Sequence, residues 1–139
     1  MGLYLCVYDR DKSEEIEGVE VGSYEDFKYF RDTISQALEG KIRGSRFPLL
    51  MNHHDSDGLW DVSESIELQK EIKVIMKEAA EKPAVPYSAD WQKQVAKTVG
   101  HESKTLYDSF IDVDGEPLLE RLADLCSISE EHKLPILFQ

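Results

Sequence analysis

The chain has 139 residues, 41% of them apolar, which suits one compact domain with one core and excludes wholesale disorder. Sixteen basic residues against 28 acidic ones leave a net charge of −12, a field that repels nucleic acid and membrane surfaces and attracts a basic partner. No apolar run reaches the roughly 20 residues that a membrane span needs, and Met1–Tyr8 lacks the basic flank of a signal peptide, so it reads as a first strand.

The acid excess is unevenly spread. Asp9 to Asp26 holds eight acids against two bases, and Glu102 to Glu131 holds nine against two, whereas Phe27 to His101 balances at eleven each. Cys6 and Cys126 each sit among apolar neighbours and read as two reduced core thiols, not as a disulfide. These features together place the expected location in the cytoplasm.

In chain order, Leu3–Tyr8 predicts a strand, and the alternation of Ile16-Glu17-Gly18-Val19-Glu20-Val21 predicts a short half-exposed second one. Ser23, with Asp26 three residues on, announces a helix whose apolar positions Phe27, Phe30, Ile34 and Leu38 run to about Glu39, with Gly40 ending it. The apolar run Phe47–Met51 predicts a buried strand that ends in the polar turn Asn52-His53-His54-Asp55-Ser56-Asp57-Gly58. Asp61 or Ser63 then caps a long helix to about Lys82, with Ile66, Ile72, Ile75, Met76 and Ala79 as its buried stripe.

Pro83 and Pro86 make an extended link to a helix that carries Trp91, Val95 and Val99 and closes at Gly100. Leu106–Gly115 is ambiguous between strand and loop. Asp114 and Pro117 announce a last helix with Leu118, Leu119, Leu122, Leu125 and Cys126 on its core face. Leu134–Gln139 predicts a closing strand whose proline marks an edge position or a strand entry. Strands and about four helices without regular βαβ alternation predict an α+β single domain spanning 1–139, a small mixed or antiparallel sheet with helices packed on it.

The turn at His53–Gly58 invites a metal reading, with His54, Asp55 and Asp57 as ligands and Asp112 and Asp114 as a possible second set from a distant loop. The same residues serve more simply as turn formers and helix caps, because Asp57-Gly58 and Asp114-Gly115 are common turn dipeptides, and that reading, with no metal, is the preferred one. The stretch L-L-M-N-H-H-D-S-D-G-L also resembles the strand-end motif of DHH-type phosphoesterases, in which two metal ions serve phosphodiester hydrolysis. That family's further Asp and Asp-His-His motifs are absent here, and the chain is short for its two-domain body. No nucleophile elbow is present, and the residues call for no cofactor.

A different resemblance runs nearly the full length. The segments G-L-Y-L-C-V-Y-D, V-E-V-G-S-Y-E-D-F, S-R-F-P-L-L-M-N-H-H-D-S-D-G-L-W, F-I-D-V-D-G-E-P-L-L-E-R-L and L-P-I-L-F-Q, in that order, resemble the Immunity protein 70 family of bacterial polymorphic-toxin systems. The resemblance implies a non-enzymatic protein that neutralises a cognate toxin by direct binding, with no nucleic-acid or membrane partner; it leaves the oligomeric state open. Acidic loops are the natural partner-binding candidates: Asp55, Asp57 and Asp61 around Trp60, and Asp112, Asp114 and Glu116. Trp60 reads either as an interface anchor or as a buried staple onto the long helix.

Overall fold

The computed structural model describes residues 2–9, 11, 14–40, 42–54 and 58–139. The first two strands, β1 (Gly2–Tyr8) and β2 (Glu15–Ser23), pair antiparallel, from Gly2 opposite Ser23 to Tyr8 opposite Glu15. β3 (Leu59–Trp60) and β4 (Ile136–Phe138) complete an antiparallel sheet in the order β2-β1-β4-β3. Alternation sorts the faces: Leu3, Leu5, Val7, Val19 and Val21 point into one contiguous core.

Helices cover that face. α1 (Tyr24–Ile34) starts at a capping box in which Ser23 Oγ accepts from Asp26 N and the Asp26 carboxylate accepts from Ser23 N. Ser35–Glu39 continues α1 as a π-helical turn and ends at Gly40, whose φ of 78° suits glycine. α3 (Val62–Ala79) begins at the reciprocal Asp61/Glu64 box. Its fully buried stripe is Ser65, Leu68, Ile72, Ile75 and Ala79, while Ile66 and Met76 are only half-buried. α4 (Asp90–Val99) and α5 (Leu118–His132) follow, and α5 packs along α3 and the sheet through Leu118, Leu119, Leu122, Leu125 and Cys126. This is the α+β arrangement expected from the sequence.

One expectation is corrected, and one open alternative is resolved. Phe47–Met51 is no strand; Pro48–Asn52 is a short helix, α2. Pro48 sits in its first turn, where its missing N–H costs nothing. The Glu71 carboxylate accepts from Leu49 N and Leu50 N, and buried Arg31 donates to Leu50 O and His53 O at 3.3 and 2.8 Å. Both ends of α2 are therefore satisfied by side chains from other helices, which apolar patterning cannot reveal. The closing strand is β4, and it lies inside the sheet between β1 and β3; Pro135 marks its entry and not an edge.

Both cysteines are free and buried. Burial pushes the Cys6 thiol up to about 11 and the Cys126 thiol up to about 12, so neither is a ready nucleophile at neutral pH.

A candidate acidic partner-binding face

The candidate residues that the structure describes fall at opposite edges of the sheet. β3, which leads into Asp61, is one edge and β2 is the other, about 14 Å away across three inter-strand spacings. Asp61 is exposed, but one of its carboxylate oxygens is engaged in capping α3. Trp60 is 1% exposed; its Nε1 donates to Leu49 O at 3.1 Å, and its ring packs on His53 and Phe138. It is a staple between β3 and α2. The His53 ring stacks on Phe138 at 4.0 Å, with its nitrogens against His54 O and Leu59 O. The proposed ligands Asp55 and Asp57 lie outside the described residues, and among the described residues no group of three His, Cys, Asp or Glu side chains could hold a metal ion.

At the β2 edge the geometry is built around Asp112 and Arg121. Asp112 is 1% exposed, and one of its oxygens accepts from Asp114 N and Glu116 N, at 2.9 and 3.0 Å. The other accepts from Arg121 Nε at 3.1 Å. Arg121 also donates to Gly18 O at 2.7 Å and stands 3.7 Å from Glu17. Val113 N donates to Glu20 O at 3.2 Å. Two carbonyls of β2, those of Gly18 and Glu20, are thus occupied by the 112–121 segment, which obstructs that part of the edge against another strand. Both Asp112 oxygens are buried and already accept hydrogen bonds, so a metal set built on Asp112 and Asp114 would have to break this knot.

The knot joins the two acid-rich ends of the sequence into one surface. Glu20, Asp114, Glu116, Glu120 and Asp124 are exposed on it, with Glu17 partly so, and Arg121 is the cation among them. Five of these residues with Pro117 — Asp114, Glu116, Glu120, Arg121 and Asp124 — line a shallow hollow of about 320 Å³. Tyr107 donates to Glu120 at its margin, and burial together with that bond raises the phenol to about 12. Of the residues singled out from the sequence, Asp114 and Glu116 stand open to solvent here. Glu20, Glu120, Asp124 and the organising Arg121 were missed, although the block charge excess of the two segments was their signal.

The molecule is a small acidic α+β domain with a cluster of exposed carboxylates at one sheet edge and two buried thiols held protonated at neutral pH. None of its helices among the described residues is long and apolar enough to cross a membrane. Its sequence matches the model of Immunity protein 70 over residues 3–138, essentially the whole chain, and the chain therefore belongs to that family. No curated protein and no solved structure matches it.

Proposed function

We propose that the chain is the protective half of a toxin–immunity pair: a non-enzymatic cytoplasmic protein that binds a cognate bacterial toxin directly and blocks it with a carboxylate-rich surface. The observation that carries this reading is the family match over residues 3–138. The clustering of Glu20, Asp114, Glu116, Glu120 and Asp124 supports an electrostatic mode of capture. A net charge of −12 raises the encounter rate with a basic cleft, and fixed carboxylates occupy positions where an anionic substrate would lie. Asp55, Asp57 and Asp61 stay in the proposal as further partner-binding candidates, of which exposed Asp61 follows β3 and Asp55 and Asp57 lie outside the described residues.

The test is co-expression with the toxin domain that this reading expects beside its gene. The expected result is a stoichiometric complex that survives size-exclusion chromatography and a toxin that loses activity in proportion to added protein. A toxin that neither binds nor is inhibited overturns the reading.

A further inference from the structure

We propose that a groove beside the acidic face, floored by the Trp91 indole, receives an apolar side chain of the toxin that is flanked by lysine or arginine. This deepens the immunity reading and rests on it. Trp91 opens α4, and its Nε1 donates to Asp26 Oδ2 at 2.9 Å. Asp26 is 6% exposed and also accepts from Ser23 N, Ser23 Oγ and Ser88 Oγ, at 2.9, 2.9 and 2.7 Å, so the polar edge of the indole is fixed.

Two glycines bare the backbone around the ring. A Cβ on Gly22, whose φ is 122°, would stand 2.6 Å from Trp91 Cζ2, and a Cβ on Gly2 would stand 2.7 Å from Gly22 O. The resulting groove has a volume of about 400 Å³ and is walled mainly by Gly2, Gly22, Ala89, Trp91 and Val113, with Asp26 at its base. Trp91 and Val113 are half-buried and accessible from it.

The rim decides the occupant. Exposed Glu25 and Asp114 directly neighbour the lining residues Asp26 and Val113 in the chain, Glu20 is tied to Val113 through its carbonyl, and Asp90, next to Trp91, pairs with Lys93 at 3.7 Å; no described lysine or arginine lines the groove. Val113 is shared: its N–H holds Glu20 O, and Asp114 follows it, so the groove is continuous with the acidic face. An apolar floor alone would accept any apolar group, but carboxylates around it select a cationic neighbourhood. A second copy of this chain, itself at −12, is repelled. An aromatic held in place before binding, inside a polar rim, is the anatomy of an interface hot spot with little ordering cost.

The experiment is NMR on the ¹⁵N-labelled full chain titrated with the neighbouring toxin domain, alongside affinities for Val113→Lys and, as a control, Glu131→Lys. Binding that moves the Trp91 indole, Gly22 and Val113 signals, with Val113→Lys weakened about tenfold or more at unchanged Tm and Glu131→Lys unaffected, supports the groove. Binding that leaves those signals still, with Val113→Lys as tight as the native chain, overturns the groove and leaves the immunity reading standing. If the toxin domain does not bind, that reading falls, and the groove is then judged on twelve-residue peptides carrying one Phe or Leu among lysines against glutamate-bearing analogues. Shifts with the basic set alone support it; no shift, or shifts that grow with protein concentration alone, overturn it.

Discussion

The neighbourhood of α2 and the β2 edge are both rich in charge, and they use it in opposite ways. Around α2, Arg31, Glu71 and Glu39 are spent on the fold. Arg31 donates to two carbonyls, Glu71 accepts from two amides, and Glu39 accepts from Gly44 N, Arg46 N and Phe47 N. At the β2 edge one pair, buried Asp112 with half-buried Arg121, performs that task, and the exposed carboxylates around it have few protein donors. Residue type therefore does not tell a structural acid from a recognition acid; the number of backbone donors it already satisfies does.

The sharpest way to break this contrast is at Trp60. If it is structural, Trp60→Ala lowers stability by about 4 kcal/mol in denaturant unfolding, while the fraction still folded binds partner as tightly as the native chain. A stable variant that cannot bind would return Trp60 to the interface. Next in size, Asp112→Ala strips Asp114 N, Glu116 N and Arg121 of their acceptor and is expected to cost about 3 kcal/mol, with faster amide exchange over 112–117.

Smaller, and visible only with pH, are the effects of Asp26 and Glu39. Burial pulls both carboxyls upward, but the hydrogen bonds each accepts outweigh it, and both end below their ordinary values. A lowered folded value means stability that is present above the unfolded pKa, near 3.8 for Asp26 and 4.5 for Glu39, and is lost as pH falls through the folded value. Glu39→Gln should therefore flatten the acid limb of a Tm-against-pH curve and differ from the native chain most at neutral pH. Glu71 has the opposite sign: burial raises it, so its contribution is present in acid and is lost as pH rises through its raised value. The smallest stability effect is expected from Asp114→Lys with Glu116→Lys, within about 0.5 kcal/mol, because both side chains are exposed and only their backbone amides serve the fold.

The sequence disclosed what local chemistry controls. The Ser23/Asp26 and Asp61/Glu64 capping boxes, the alternation in β2 and the apolar stripe of α5 are contained within short windows. α2 was not readable because the groups that satisfy its ends, Arg31 and Glu71, lie some 20 residues away in sequence. The two acid-rich blocks were readable as composition, but their meeting was not, since Arg121 reaches Gly18 across 103 positions. Trp60 and Trp91 each stand next to an aspartate in the sequence. Only the packing separates the staple, sealed against His53 and Phe138, from the half-open ring over Gly22.

The most direct measurement is the affinity for the neighbouring toxin domain across a salt series, for the native chain and for a Glu20→Lys, Asp114→Lys, Glu116→Lys variant of unchanged Tm. Capture through the β2-edge carboxylates predicts a native affinity that weakens steeply with salt and a variant that binds at least tenfold more weakly with a shallower salt slope. Equal affinity and equal salt dependence in the two proteins would contradict it.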